Sequence, residues 1–214
     1  LFLLKGGEKL QQVFRVKLAL ILQTLSQFKR NVLYLDADTY VISDFSHELN
    51  LSPAMSGMCA DEGYIIHKKR NEIDLEILKN YPQYFSQHKK VKMYNAGLIL
   101  VHYNNTSILQ KALDQLDELF PKYRYYFLEQ LLVSYNLAQN TKVKTFEKNI
   151  RHYWYQKEFT TTVKQYVKHL PKVSLNKESI PRMNLGAVPP EYWYKSFIYQ
   201  WPYKIKRKFK QWFQ

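Results

Sequence analysis

The chain has 214 residues, of which 46% are hydrophobic and 23% charged, so it can bury the core of one domain and is not disordered over most of its length. The 32 basic and 18 acidic residues give a formal net charge of +14, which favours anionic partners such as nucleotides, nucleic acid or an acidic membrane surface. The single cysteine excludes an intrachain disulfide, and no apolar run approaches the roughly 20 residues that a membrane-spanning helix needs.

The first part of the chain predicts a helix followed by extended segments. Apolar residues at three- and four-residue spacing predict a helix over residues 9–29: Leu10, Val13, Phe14, Leu18, Ile21, Leu22, Leu25 and Phe28. The apolar run at residues 32–35 is typical of a strand buried on both faces. Residues 39–42 continue as extended structure, and residues 55–60 predict another strand, in which Cys59 is a small core residue.

After residue 60 the pattern alternates between helices and strands. The predicted elements, in chain order, are a short helix at 73–78 on a charged excursion (61–92), a strand at 97–103, helices at 108–119 and 127–137, a strand at 143–146 and a helix at 163–170. Pro121 is expected to end the helix before it. Residues 171–192, rich in Pro, Asn and Gly, predict an irregular segment. This alternation indicates an α/β fold, with helices on the faces of a sheet.

Two acidic residues, Asp36 and Asp38, directly follow the predicted strand at residues 32–35. Residues i and i+2 of an extended chain point to the same side, so both carboxylates face one way, at the strand end where open α/β sheets bind ligands. Neighbouring carboxylates repel each other, and Mg²⁺ or Mn²⁺, which also binds phosphate oxygens, relieves that repulsion. An Asp-x-Asp sequence is also common by chance, with one side chain capping a turn and the other in solvent.

Residues 32–49, which include Val-Leu-Tyr-Leu-Asp-Ala-Asp-Thr, Asp-Phe and Glu-Leu, resemble the metal-binding region of GT-A fold glycosyltransferases, most closely glycosyltransferase family 8. The resemblance implies a GT-A (Rossmann-like) mixed sheet flanked by helices. It also implies that Asp36 and Asp38 hold a Mn²⁺ (or Mg²⁺) ion that grips the diphosphate of a nucleotide sugar. Ala37, between them, is then part of the donor site.

Two further motifs resemble that family in the same order along the chain. Asn95, Ala96 and Gly97 match the Asn-Ala-Gly that opens a strand and lines the donor-sugar pocket. Glu129 and Gln130 match an acidic residue and Gln that reach the sugar near the reacting carbon, with Glu where Asp is usual, and they are the candidate catalytic residues. From the residues alone, the first motif also fits a turn before a strand, and Glu129 also fits charge complementarity at a helix N-terminus.

Histidine and basic residues complete the implied site. His152, in Arg-His-Tyr-Trp, resembles the late histidine that is the family's third metal ligand, and His with two carboxylates suits Mn²⁺ better than Mg²⁺. Lys157 stands five residues later, where the family has a phosphate-contacting Lys six residues after the histidine. Arg15 and Lys17 are candidates for the family's basic residue that contacts the diphosphate and sugar; they also fit a solvated helix face.

The end of the chain differs in character from the rest. Residues 192–214 contain six basic residues and no acidic one, and apolar residues recur there at helical spacing: Trp201, Ile205, Phe209, Trp212 and Phe213. This pattern predicts a C-terminal amphipathic helix that lies in an anionic membrane interface. The same helix could instead dock on the protein's own core, or bind nucleic acid, which is the least expected partner.

Together, the motifs predict a metal-dependent glycosyltransferase with a catalytic domain at residues 1–192 and a tail at 193–214. We expect a UDP-sugar donor, a glycan or lipid-linked acceptor, retention of anomeric configuration, and a role in cell-surface polysaccharide synthesis. The expected location is cytoplasmic, at the inner face of the membrane.

Other functions fit parts of the sequence. One alternative is a non-catalytic basic protein that binds membranes or nucleic acid. Another is a haloacid-dehalogenase-like phosphatase, whose Asp-x-Asp-x-Thr motif has Tyr40 at its Thr position here. Only 35 residues precede Asp36, and the chain begins at Leu1 without Met, so we expect the nucleotide-binding segment to be either outside this chain or abbreviated.

Overall fold

The computed structural model describes residues 6–65, 72–85 and 91–152. Within these ranges the chain divides into two compact units, one formed by residues up to 37 and from 45 to 147, the other by residues 38–44 and 148–152. Several predictions lie outside the described residues: the helix at 163–170, the irregular segment at 171–192, the boundary between 192 and 193, and the tail.

The described residues confirm the prediction of an α/β fold with a mixed sheet flanked by helices. The helices, all in the first unit, are α1 (Gly6–Phe28), α2 (Glu72–Asn80), α3 (Thr106–Tyr123) and α4 (Leu128–Asn140). The strands are β1 (Val32–Leu35), β2 (Thr39–Val41), β3 (Met55–Tyr64), β4 (Lys92–Val101), β5 (Lys142–Thr145) and β6 (Ile150–His152). None of the helices in these ranges is long and apolar enough to cross a membrane.

Four strands of the first unit form one sheet in the order β1-β4-β3-β5. β4 runs antiparallel to both β1 and β3, and β5 runs parallel to β3. β4 is buried along nearly its whole length, and α4 packs against it. Apolar side chains of α1, α3 and α4 join those of β4 in a single core.

The prediction that residues 32–35 are buried on both faces is wrong. All four residues of β1 are only half-buried. β1 forms an edge of the described sheet, so only β4 pairs with it. The uninterrupted apolar run therefore does not distinguish an edge strand from a central one.

The two long strands extend beyond their predicted bounds. β4 begins at Lys92, so the Asn-Ala-Gly sequence lies within a strand and neither opens it nor forms a turn. β3 continues to Tyr64, into the segment expected to be a charged excursion. Register irregularities against β4 occur between Met58 and Ala60 and again before Tyr64. Backbone pairing and bulges hold these polar residues in the sheet, and neither leaves an apolar pattern in the sequence.

Helix α1 buries one face against the sheet and α3. The buried side chains share that face: Phe14, Leu18, Ile21, Leu22 and Leu25. Val13 and Phe28, predicted on it, are 63% and 60% exposed. Val13 lies on the opposite side of the helix from Leu18, since five residues turn a helix by about 500°. Phe28 is the last residue of the helix.

Pro121 does not end the third helix as predicted. α3 continues to Tyr123, and Arg124 then adopts a left-handed conformation with φ 46°, with its N–H donating to the carbonyl of Phe120 at 2.8 Å. Proline removes one backbone donor but keeps helical φ. Because Pro121 is only two residues from the end of α3, the loss of this donor does not prevent the last turn from forming.

The second unit contains the antiparallel pair β2 and β6, in which Thr39 lies opposite His152. Beyond β2, the N–H of Ile42 donates to the carbonyl of Asn149. Extended structure at residues 39–42 is therefore confirmed over β2. No periodic pattern in the sequence indicated β6, which is only three residues long.

Candidate functional site

Three of the sequence motifs meet at the middle of β4. β1 and β4 run antiparallel, and the backbone N–H of Asp36 donates to the carbonyl of Gly97 at 2.9 Å. Helix α4 packs against the same strand and brings Glu129 and Gln130 to it. The acidic residue after β1, the Asn-Ala-Gly sequence and the Glu-Gln pair are therefore neighbours in the first unit.

Lys17, on α1, is the buried centre of this cluster. Its Nζ donates to the carbonyl of Ala96 at 2.8 Å and lies 3.4 Å from a carboxylate oxygen of Asp36 and 3.4 Å from one of Glu129. It also lies 5.0 Å from the centre of the Tyr34 ring. An ammonium group has three donors, and three acceptors face it here. Lys17 therefore links α1 to the end of β1, to β4 and to α4.

Glu129 is a buried acid in the first turn of α4, with 3% of its surface exposed. Burial raises the pKa of its carboxyl above the usual value; the ammonium of Lys17 opposes this rise, and the carboxylate of Asp36 adds to it. Within the described residues, its Oε1 has no hydrogen bond of ordinary geometry, although Lys17 lies 3.4 Å away. One ammonium thus faces two carboxyl groups, which favours a proton on Glu129 or the approach of a further cation.

The buried side-chain amides of Asn95 and Gln130 are each hydrogen-bonded through both the oxygen and the NH₂ group. The Oδ1 of Asn95 accepts from the N–H of Gly97 at 2.9 Å, and the Oε1 of Gln130 accepts from the N–H of Ala96 at 3.4 Å. Their NH₂ groups donate to different oxygens of Glu62, at 3.2 and 3.3 Å. The amides therefore lie between the backbone of β4 and one carboxylate.

Glu62 is a residue of this cluster that the sequence reasoning missed. It lies on the part of β3 beyond residue 60, where the sequence predicts a charged excursion. Its partners are 33 and 68 residues away along the chain. One pattern in the sequence points to Glu62: if the strand continues past Ala60, the carboxylate two residues later lies on the same side of the strand as Ala60. Using that pattern requires knowing that the strand continues.

The structure separates the two basic candidates on α1. Lys17 is buried among the motif residues, whereas the side chain of Arg15 is 48% exposed and forms an ion pair with Asp117 of α3 at 3.0 Å. Arg15 is therefore not part of the cluster around Lys17. Its predicted contact with the donor stays a prediction.

In the second unit, Asp38 and His152 lie together. The Nε2 of His152 is 2.9 Å from the Oδ1 of Asp38, and 11% of the histidine side chain is exposed. The pairing of β2 with β6 produces this contact, because Asp38 directly precedes β2 and His152 is the last residue of β6. Two of the three predicted metal ligands are thus in contact.

The third predicted ligand, Asp36, belongs to the first unit and is linked to Asp38 through the exposed residue Ala37. Covalent geometry alone keeps the α-carbons of residues two apart within about 7 Å. Asp36, Asp38 and His152 each offer one ligand atom, and two carboxylate oxygens with an imidazole nitrogen suit Mn²⁺. The chemistry of these donors therefore fits the implied metal. Lys157 lies outside the described residues.

No protein-family model, no curated protein and no solved structure matches this chain. A function can therefore be proposed only from the geometry of its own residues and from its sequence motifs.

Proposed function

We propose that this chain is a metal-dependent glycosyltransferase of the GT-A type. It moves a sugar from a nucleotide diphosphate sugar, with UDP-sugar favoured, to a glycan or lipid-linked acceptor. The observation that carries the proposal is the convergence of Lys17, Asp36 and Glu129 on residues 95–97 of β4. These residues are far apart in the sequence, and the family resemblance assigns all of them to the donor.

The proposed metal ligands are Asp36, Asp38 and His152. The contact between the last two, and the covalent closeness of the first, support this set. When bound, Mn²⁺ or Mg²⁺ would neutralise negative charge on the departing diphosphate.

The donor sugar is assigned to Asn95, Gln130 and Glu129, within the cluster around Lys17. An amide both donates and accepts hydrogen bonds, as sugar hydroxyls do, and the two amides here are held in fixed orientations. Burial favours the protonated form of Glu129. A carboxyl group that keeps its proton can donate to a sugar oxygen, which a carboxylate cannot do.

The proposal extends to the membrane through residues 193–214. Their basic and aromatic composition suits an anionic lipid surface. An enzyme held there would reach lipid-linked acceptors during the synthesis of cell-surface polysaccharide.

The test is a thermal-unfolding titration with UDP, GDP and CMP, each with and without Mn²⁺. One nucleotide should raise the melting temperature only when Mn²⁺ is present, by about 5 °C or more at about 100 times its dissociation constant. The variants Asp38→Asn and His152→Ala should lose the Mn²⁺-dependent part of this rise.

Two substitutions of the same kind away from the proposed site are the controls. Asp114→Asn, on the exposed face of α3, and His47→Ala, at a largely exposed histidine, should keep the full response. A parent protein that responds to no nucleotide would contradict the proposed function. A response unchanged in Asp38→Asn and His152→Ala would contradict the metal assignment. Hydrolysis of a simple phosphate ester without any nucleotide response would favour the phosphatase alternative.

A further inference from the structure

Glu62 reaches from β3 to both β4 and α4. Its Oε1 accepts from the Nδ2 of Asn95 at 3.2 Å, and its Oε2 accepts from the Nε2 of Gln130 at 3.3 Å. Each carboxylate oxygen thus has an amide partner on a different element. Both amides belong to residues that the proposed function assigns to the donor sugar.

These contacts decide which way each amide faces. The amide oxygens of Asn95 and Gln130 accept from backbone N–H groups of β4, so the NH₂ groups point towards Glu62. If either amide turned over, its oxygen would face a carboxylate and its NH₂ would face a backbone N–H. One contact would then bring two acceptors together and the other would bring two donors together, which is unfavourable in a buried cluster. A carboxylate at position 62 therefore excludes the reversed orientation.

We infer that Glu62 is a positioning residue for the donor sugar: it holds the amides of Asn95 and Gln130 in the orientation that meets the sugar hydroxyls. This inference rests on the proposed function. A carboxylate is needed because it accepts at both oxygens, whereas a glutamine accepts at one end and donates at the other. In Glu62→Gln, one of the two amides would therefore lose its acceptor.

The experiment compares the dissociation constants of nucleoside diphosphates and of their sugars in the full chain with Mn²⁺ present. The probes are UDP with UDP-glucose and UDP-galactose, and GDP with GDP-mannose. Glu62→Gln should weaken binding of the nucleotide sugar about tenfold and change binding of the matching nucleoside diphosphate by less than about twofold. A residue that only stabilised the fold would weaken both alike.

Glu147→Gln is the matched control, because it makes the same chemical change beside the same strand. Its Oε2 accepts from the backbone N–H of Asp61, a bond that a glutamine oxygen can keep. We expect both dissociation constants to stay at the parent value. Glu62→Asp keeps both acceptor oxygens but is one methylene shorter, so they no longer reach the two amides; it provides a second variant with the same expected selective loss.

The outcomes separate this inference from the proposed function. Equal weakening of sugar and diphosphate binding, or no weakening, would overturn the role of Glu62 and leave the transferase proposal standing. A parent that binds none of the probes would overturn both.

The bridge itself has a test without ligand, a double-mutant cycle of Glu62→Met, which removes both acceptor oxygens, with Gln130→Met, followed by urea denaturation. The double variant should lose less than the sum of the two single losses. Additive losses would show that Glu62 does not hold Gln130, and would overturn the inference whatever the probes do.

Discussion

The buried ammonium of Lys17 faces the carboxyl groups of Asp36 and Glu129, and this arrangement predicts a large effect of its removal. Lys17→Met should lower the free energy of unfolding by about 3 kcal/mol, because the two carboxyl groups lose their shared cation. Arg15→Met, two residues earlier on the same helix, removes an exposed ion pair with Asp117 and should cost less than about 1 kcal/mol. Urea denaturation near neutral pH measures both losses.

A second substitution tests the cause of that loss. In the double variant Lys17→Met with Glu129→Gln, one of the stranded acids is neutral, so part of the lost stability should return. Equal losses for Lys17→Met and Arg15→Met would contradict the buried position of Lys17. A double variant less stable than Lys17→Met alone would contradict the pairing with Glu129.

The carboxyl group of Glu129 predicts a pH dependence of stability. Burial raises its pKa above the ordinary value of 4.5, so the folded protein binds this proton more tightly than the unfolded chain does. The resulting stabilisation is present in full below the unfolded pKa and is lost as the pH rises through the folded pKa. Glu129→Gln has no such proton. The stability of the parent relative to this variant should therefore fall between acid and neutral pH, measured by denaturation at a series of pH values. A difference that does not change with pH would contradict the prediction.

The sequence indicates some of these residues and not others for geometric reasons. Asp36 could be identified because an apolar strand precedes it. Lys17 and Arg15 have the same charge and lie two residues apart, about 200° around a helix, so only the position of the sheet decides which one is buried. Glu62 depends on the register of β3 against β4, which two irregularities shift.

A side chain added at Gly57 of β3 should destabilise the fold, because β3 lies between β4 and β5 in the sheet. A Cβ at Gly57 would lie 2.6 Å from a ring carbon of Phe146 and 2.9 Å from the Cβ of Leu100. Gly57→Ala should therefore lower the free energy of unfolding by about 2 kcal/mol, more than the roughly 0.5 kcal/mol that alanine gains by restricting the unfolded chain. Thermal or urea unfolding measures the change.

Gly63, at the other end of β3, provides a control with a different cause. Among the described residues, no atom lies within 4 Å of where a Cβ would stand, but φ is +84°, so alanine costs roughly 1–2 kcal/mol through backbone strain. In a double-mutant cycle, the loss caused by Gly57→Ala should be smaller in a Phe146→Leu background than in the parent, and the loss caused by Gly63→Ala should be the same in both backgrounds. A reduced loss at both glycines, or at neither, would contradict crowding at Gly57.

Elements that carry an apolar pattern could be predicted from the sequence, whereas β6 and the polar end of β3 could not. α1, α3 and β4 bury a whole face or the whole strand, so their sequences carry a clear pattern. β6 has three residues, and the polar end of β3 is held by backbone pairing, so neither leaves a pattern. The half-burial of β1 follows from its place at an edge, which no local sequence encodes.

At the scale of the whole molecule, alternation of apolar segments was sufficient to predict the α/β class. It could not predict the division into two units. The second unit joins residues 38–44 to residues beyond 147 through the pairing of β2 with β6. Such distant pairing of two short strands depends on how the intervening chain folds.

The net charge of +14 and the composition of residues 192–214 predict binding to anionic membranes. Replacing five basic residues of this stretch by Gln, namely Lys204, Lys206, Arg207, Lys208 and Lys210, should weaken binding to phosphatidylserine-containing vesicles by more than about tenfold. Each basic residue near such a surface contributes about 1 kcal/mol, and the apolar residues left in place retain part of the affinity. Co-sedimentation of the full chain with vesicles at low and high salt measures the effect.

A charge-matched control decides whether the tail or the overall charge is responsible. The same number of exposed basic residues can be changed to Gln elsewhere, at Lys29, Arg30, Lys111, Lys142 and Lys148. Because surface attraction falls off within a Debye length of about 10 Å, the lipid attracts chiefly the charges of the segment that binds it, and this variant should bind nearly as the parent does. Equal weakening in both variants would show that the net charge alone attracts the lipid, and a parent that does not sediment with anionic vesicles would contradict membrane association.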